Sequence, residues 1–299
     1  MAFFRALESA RPAKERLFSD SFAVHFIRPV FRAAVWLSRL PVFGHVIDWY
    51  ADQRLPGART SAIARTRLID DLLRDERGEN SAQVAILGSG FDCRPYRLLP
   101  VNRTTVYEVD HPATLARKRF HLSGLLPEVP SNVRFVEMDF NTQDLAEALK
   151  GAGFQRSRRA MFLWEGVTNY LSPAAVDSVL AYVSSCAPGS RIIFTYVHVD
   201  ALSASTRFEG AQRLLEDVTR IGEPWTFGLD PAQVVEFLRG RALCLESDLS
   251  ADDYRNKYFG ARSRQMKGYS FYHVAVASVL GEERVDAPKN QEAERRTGA

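Results

Sequence analysis

From residue 83 onward, short apolar and β-branched runs alternate with stretches whose apolar positions recur three and four residues apart. The runs are QVAILG (83–88), TTVYEVD (104–110), NVRFVEMD (132–139), RAMFLWE (159–165), SRIIFTYVHV (190–199), RALCLES (241–247) and FYHVAVASVL (271–280). Each has strand length and strand composition. Helical patterns lie between them, among them PATLARKRFHLSGLL and SPAAVDSVLAYVSSCA. Alternation of this kind predicts an α/β fold: crossover units, a seven-stranded mostly parallel sheet, and helices on both faces. Ligands of such sheets bind beyond the carboxyl ends of the strands. Those ends here carry Gly88, Asp110, Asp139, Glu165 and His198.

Residues 1 to 75 read as helical. Phe22, Phe26 and Val30 recur every four positions, and Ile63, Leu68, Ile69, Leu72 and Leu73 fall largely on one side. DERGEN then breaks the pattern. Residues 200 to 240 form an insertion before the sixth strand, and GEPWTFGLDP within it is rich in turn residues and aromatics. An insertion of this size reads as a helical lid, or as a helical excursion covering the sheet edge. The final residues, 281–299, hold almost no large apolar side chain and read as a disordered tail. The organisation expected is one domain over 1–280: a helical cap to residue 80, a core over 81–199, the insertion, and two closing strands.

Composition narrows the function. Basic and acidic residues nearly balance (39 against 36), which argues against a dedicated nucleic-acid binder. Cys93, Cys186 and Cys244 are far apart, so neither a disulfide framework nor a zinc site is expected. The six histidines show no pair at ligand spacing, and no metal is implied. The N-terminus lacks the apolar core of a secretory signal, and a cytoplasmic protein is expected. The most apolar window, residues 26 to 50, is interrupted by Arg28, Arg32, Arg39, Pro29 and Pro41, so no spanning helix is expected. Three basic residues on an apolar helix also suit a membrane surface, although such a helix more often covers a core.

The chemistry gathers around VAILGSGFDCRPYR. A dinucleotide turn reads Gly-x-Gly-x-x-Gly and sets a helix N-terminus against a pyrophosphate. Gly88 and Gly90 fit the first two places, but Cys93 holds the third and Asp92 sits inside the turn. A carboxylate disfavours a pyrophosphate and suits a cation. S-adenosylmethionine has no phosphate and carries a sulfonium and an ammonium. The departures therefore favour that ligand over NAD. Asp110 ends the second strand twenty residues after Gly90, where a carboxylate can accept both ribose hydroxyls; it is equally placed to cap the helix that opens at Pro112.

With these stretches in view, the chain resembles the leucine carboxyl methyltransferase-like family, in particular its bacterial branch of S-adenosylmethionine-dependent methyltransferases. The matching stretches are RALESARPAKERLFSDSFAVHF, ARTRLID, VAILGSGFDCRPYRL, VYEVDHPATLARK, FVEMDF, FLWEGVTNYL, PGSRIIFTYV and GEPWTFGLDP, in order over residues 5 to 240. The resemblance implies the Rossmann-like class I methyltransferase fold and S-adenosyl-L-methionine as cofactor. It also implies roles: Arg65 for the cofactor carboxylate, Gly88 and Gly90 beside its methionine portion, and Asp110 for the ribose. Asp139 and the Phe140 N–H would serve the adenine, and Glu165 would approach the ammonium. Local alternatives are a turn cap for Asp139 and a solvated strand end for Glu165. Pro95, Cys93 and the MDF triplet depart from the family's common residues, and none of them removes a group the cofactor needs.

Methyl transfer is an in-line displacement at carbon. A carboxylate acceptor needs no base, whereas a hydroxyl does. His198 is the first candidate base and His111 the second; the plainer reading of His198 is a packed histidine. Tyr170, Tyr196, Trp225 and Phe227 could wall an acceptor pocket. The function these residues support is O-methylation of a small-molecule carboxylate or hydroxyl. The alternatives are carboxyl methylation of a protein C-terminus, or cofactor binding without turnover.

Overall fold

The computed structural model describes residues 1–75, 82–99, 104–203, 206–220 and 222–281. The expected tail, apart from its first residue, lies outside them. The cap contains helices α1 (Ala2–Ala10), α2 (Pro29–Leu37), α3 (Pro41–Arg54) and α4 (Ala58–Asp75). Then follow β1 (Gln83–Leu87), α5 (Arg94–Arg97), β2 (Thr105–Asp110), α6 (Pro112–Ser123), β3 (Val133–Glu137), α7 (Leu145–Gly151), β4 (Ala160–Trp164), α8 (Pro173–Ser184) and β5 (Arg191–Val197). The chain closes with α9 (Ala211–Arg220), α10 (Val234–Arg239), β6 (Leu243–Ser250), α11 (Ala251–Phe259) and β7 (Tyr272–Val279).

The seven strands lie in the order β3-β2-β1-β4-β5-β7-β6. All neighbours are parallel except β7, which runs antiparallel to both β5 and β6. Sequential order reverses between β1 and β4, which marks the switch point where such sheets bind ligands. Both faces of the central strands are covered, so β1 beyond Gln83 and β4 read as unbroken apolar runs, whereas the edge strands β3 and β6 keep exposed positions. Within β1 the two faces alternate. Val84 and Ile86 join Leu68, Ile69 and Leu73 of α4 and Tyr254 of α11, while Ala85 and Leu87 join Val176, Val179 and Leu180 of α8.

Three features depart from the sequence reading. The four-residue recurrence of Phe22, Phe26 and Val30 is not one helix. A short 3-10 turn (Ala23–Phe26) ends at Ile27, and Pro29 opens α2 with Arg28 extended (ψ 152°). Phe26 is consequently buried while Val30 is exposed. The insertion at 200–240 is also not uniform. Val234 and Leu238 of α10 lie in the main core, so this helix covers the sheet. Only the part around α9 and residues 222–226 sits apart, on a cluster with Tyr269 and Phe271. Finally, α11 was not foreseen between the last two strands. Ser250 caps it with a capping box to Asp253, a signal present in SADD.

An ion pair is wholly buried between α6 and β2. Lys118 of α6 meets Glu108 of β2 at 2.8 Å, and both side chains are wholly inaccessible. Removing one partner of such a pair leaves an unanswered charge, whereas replacing both is far milder. Lys118→Met should therefore destabilise the protein by about 3–5 kcal/mol. Adding Glu108→Leu should recover most of that loss, as read from urea unfolding of the single and double variants.

Candidate active site

Beyond the carboxyl ends of β1, β2, β3 and β4 lies a cleft of about 510 Å³. Gly88, Asp110, His111, Asp139 and Phe140 border it from the strand ends; Val167 and Tyr170 follow β4, and Gly222 to Thr226 close it from the insertion. A cleft of this volume suits a small molecule.

The glycine turn is shaped by backbone geometry. Gly88 has φ +68° and Gly90 φ +42°, in the left-handed region that favours glycine. The Gly88 and Ser89 N–H groups both donate to the Val109 carbonyl, at 2.8 and 3.0 Å. A Cβ on Gly88 would lie 2.3 Å from a Val167 methyl group, so its missing side chain keeps the turn against the β4 loop. The Gly90 N–H donates to Asp110 Oδ2 at 2.6 Å, and the His111 N–H donates to Oδ1 at 2.7 Å. Asp110 thus fixes the turn from the next strand. It does not cap α6: His111 does, its Nδ1 accepting from the Ala113 N–H at 3.3 Å, with Pro112 in the first turn. A carboxylate has about four lone-pair positions, so Asp110 retains acceptors beyond these two bonds.

Asp139 borders the cleft and also orders its own turn, accepting the Asn141 N–H on Oδ1 at 2.9 Å. The turn-cap reading therefore holds geometrically without removing Asp139 from the cleft. Phe140 packs its ring against the main core.

Behind the turn runs a chain of ion pairs. Glu165 Oε1 meets Arg65 Nε at 2.9 Å, and Oε2 meets Arg94 Nη1 at 2.8 Å. Arg94 also bridges Asp70 Oδ1 at 2.8 Å and Asp92 Oδ2 at 2.6 Å. Arg97 shares Asp70 at 2.6 Å, and Arg5 reaches Asp20 at 3.0 Å. Glu165 is therefore not a solvated strand end. Burial would raise its pKa, but Arg94 and then Arg65 pull it below the usual range. Burial would lower the pKa of Arg65, but Glu165, together with Tyr254 and Tyr272, holds it more firmly protonated. Neither side chain borders the cleft; Val167, two residues beyond Glu165, does.

This network corrects one sequence argument. Asp92 does not present a bare carboxylate to a ligand, because it accepts the Arg94 N–H at 2.8 Å and the Arg94 guanidinium besides. Its pKa, which burial would raise, is brought down to about 2 chiefly by Arg94. The discrimination against a pyrophosphate that was drawn from Asp92 loses its force. Arg94, Asp70 and Arg97 were not foreseen as parts of the site's frame. The Arg-rich CRPYR after the glycines was the available signal.

The expected acceptor-wall residues divide. Tyr170 borders the cleft. Tyr196 does not: it is fully buried under β6 and β7, donates to Asp248 Oδ2 at 2.6 Å and stacks on His273. Trp225 is buried against Phe271 and Tyr272, and Phe227 packs into the main core. Thr226 between them borders the cleft instead, its N–H donating to the Asn169 carbonyl at 2.8 Å. His198 also lies outside the cleft. It caps a 3-10 turn (Val199–Leu202), accepting the Asp200 N–H at 3.1 Å beside Phe208, and burial lowers its pKa. His111 is the histidine that borders the cleft. Among the described residues no three His, Cys, Asp or Glu side chains gather in a way that could hold a metal.

Sheet order, antiparallel seventh strand and a cleft over the β1–β4 switch define the class I methyltransferase fold. The comparisons specify it further. The family model for leucine carboxyl methyltransferase matches residues 1–184, and the chain belongs to that family. A Mycobacterium bovis protein named "Putative S-adenosyl-L-methionine-dependent methyltransferase" is 32% identical over 229 residues, covering 76% of this chain and 72% of its own. Bacillus subtilis YktD, with the same description, is 26% identical over 78% of this chain and 76% of its own. Among solved structures, a "putative methyltransferase" from Thermobifida fusca superposes with TM-score 0.54 at 19% identity, covering 93% of this chain and 94% of its own. That likeness speaks for the fold.

Two outcomes follow from this geometry. Gly88→Ala should lower stability by about 1–3 kcal/mol, since it adds left-handed strain to the Val167 overlap. Gly88→Ala with Val167→Ala should relieve only the overlap, as thermal unfolding would show. For Asp92 the folded pKa lies below the unfolded one, so its contribution is complete above the ordinary carboxylate range and is lost as pH falls from about 4 to about 2. Urea midpoints should fall steeply over that window in the wild type and less steeply in Asp92→Asn.

Proposed function

We propose that this chain binds S-adenosyl-L-methionine in the cleft over β1 to β4 and transfers its methyl group to an oxygen of a small-molecule carboxylate or hydroxyl. The observation that carries the reading is the position of Asp110. It ends β2, is bonded to the Gly90 N–H, and borders one cleft with Gly88 and Asp139. In this reading the left-handed turn at Gly88 and Gly90, closed against Val167, lies beside the cofactor's methionine portion. Asp110 accepts from the ribose hydroxyls with its remaining lone pairs. Asp139 accepts from the adenine amine, and the Phe140 N–H donates to the ring. Arg65 stands behind the turn and off the cleft wall; its guanidinium donors beyond the Nε given to Glu165 would meet the cofactor carboxylate only where the methionine end passes Gly88 toward it. Glu165, held ionised by two arginines, offers negative charge toward the ammonium.

When bound, the cofactor supplies a methyl group on a positively charged sulfur, which leaves as a neutral thioether. The chain's part is placement, since near-attack positioning alone can supply several kcal/mol of the barrier. Tyr170, Thr226 and Glu223 border the same cleft and would orient the acceptor. A carboxylate acceptor arrives ionised, and no proton need move. For a hydroxyl acceptor, His111 is the candidate base on position. Its Nδ1 already accepts from the Ala113 N–H, so the proton would be taken by Nε2 only in the tautomer protonated at Nδ1, at the expense of that bond. His198, outside the cleft with its Nδ1 engaged by the Asp200 N–H, takes no part in this reading. The family's description favours a second acceptor, a protein's terminal carboxylate, because the same ionised group would be methylated.

Calorimetric titration with S-adenosylhomocysteine should give micromolar binding that weakens about tenfold or more in Asp110→Ala and Asp139→Ala, from the loss of charge-assisted hydrogen bonds. NADH run alongside should not bind; binding of NADH, or of neither ligand, defeats the reading. Transfer of labelled methyl to a panel of carboxylic acids, phenols and leucine-ended peptides then separates the acceptors.

A further inference from the structure

The exposed apolar side chains are unevenly placed. Of thirteen large hydrophobic residues exposed among the described residues, nine lie between Val30 and Tyr50, on α2, α3 and the turn joining them. Trp36, Leu40, Val42, Val46, Trp49 and Tyr50 are each at least half exposed. Val42, Val46 and Trp49 follow one stripe of α3, four and three residues apart. No residue of α3 is buried, and in α2 only Val35 is. The pair is anchored at its inner edge. Phe31 packs on Phe3, with ring centroids 5.0 Å apart, and Asp48 and Asp52 pair with Arg11 and Arg59. An apolar stripe turned outward is the reverse of a helix that covers a core. Contiguous exposed patches of this kind mark interaction sites.

The charge of this hairpin selects the partner. The sequence from Ser21 to Ile47 contains no Asp or Glu, yet it carries Arg28, Arg32 and Arg39, all exposed. Arg32 is steadied by the Ile27 and His25 carbonyls, at 3.1 and 2.7 Å. The carboxylates of α3, Asp48 and Asp52, are answered by Arg11 and Arg59, and Glu15 lines a hollow together with Arg39, His45 and Asp48. A second copy meeting this patch through a two-fold axis would set Arg28, Arg32 and Arg39 against their own like-charged counterparts. An anionic bilayer surface answers both features: phosphate charge for the arginines, and the headgroup boundary for tryptophan and tyrosine. No helix among the described residues is long and apolar enough to cross a membrane, so the hairpin would lie on the surface.

We propose that α2 and α3 form a peripheral docking hairpin that seats this protein reversibly on anionic phospholipid surfaces. The assignment is independent of the methyl-transfer reading.

The test is co-sedimentation of the full chain with phosphatidylcholine vesicles and with phosphatidylcholine–phosphatidylglycerol vesicles. The protein should pellet with the anionic vesicles and stay in solution with the neutral ones. Tryptophan emission should shift to the blue on binding, because Trp36 and Trp49 are exposed while Trp164 and Trp225 are buried. Arg28→Gln with Arg39→Gln should weaken binding about tenfold or more, as expected for two lost surface charges. Trp36→Ser, Val46→Ser and Trp49→Ser together should abolish it, with thermal unfolding unchanged because these side chains are exposed. No pelleting with either vesicle, or equal pelleting with both, overturns the proposal. So does a dimer in light scattering that the triple variant dissociates while vesicles remain unbound; that result would assign the patch to a second copy.

Discussion

The ion-pair chain from Asp20 to Glu165 ties together elements that share no strand hydrogen bonds. Arg94 alone joins α4 through Asp70, its own turn through Asp92, and the end of β4 through Glu165. Arg97 and Arg5 extend the chain to the loop at Asp20 and to α1. Most of these groups are nearly inaccessible to solvent, so any one left unpaired would be costly. A hydrophobic contact could have held α4 on the sheet at similar energy. It could not have fixed which turn of α4 faces the glycine turn, because apolar contacts lack direction. The arginines supply that register, and they do so with the residues that immediately follow the two glycines.

The cleft inherits its shape from this frame. With Asp92 and Arg94 satisfied inside the turn, the backbone of Gly88 to Gly90 is presented toward Asp110, whose carboxylate locks it from β2. Val167 packs into the space a side chain on Gly88 would fill, which brings the β4 loop and Tyr170 to the same cleft. The insertion contributes only a short arc, 222–226, pinned by Thr226 to Asn169. Of its two helices, α10 packs on the sheet and α9 on the separate cluster with Tyr269 and Phe271.

Much of this was legible in the sequence. The central strands β1, β4, β5 and β7 announce themselves because both of their faces are buried, which makes them nearly continuous apolar runs, while the edge strands β3 and β6 mix apolar with charged or polar residues. Gly88, Gly90, Asp110 and Asp139 stand at strand ends, where backbone geometry leaves few other places for a ligand. The errors share a physical origin. Asp92 looked like an open carboxylate because nothing local reveals that Arg94, two residues away, folds back onto it. Tyr196, Trp225 and Phe227 were read as cleft walls because aromatic residues look alike whether they line a cavity or fill a core. His198 sits at a strand end like the others, yet its side chain turns into a cap. The Pro29 break in the first helical pattern was visible, but the four-residue recurrence of Phe22, Phe26 and Val30 obscured it.

The sequence by itself determined the alternation of strands and helices, the glycines that a left-handed turn requires, and the acidic residues that close successive strands. These are local properties: period, φ preference and position relative to a strand end. The tertiary structure alone decided which charges meet, which aromatics face the cleft, and that α2 and α3 turn their apolar stripe outward. Those outcomes depend on contacts between residues as much as a hundred positions apart, as with Arg65 and Glu165. No window of sequence contains both partners of such a contact, and the same side chain is stabilised equally well by several possible neighbours until the packing selects one.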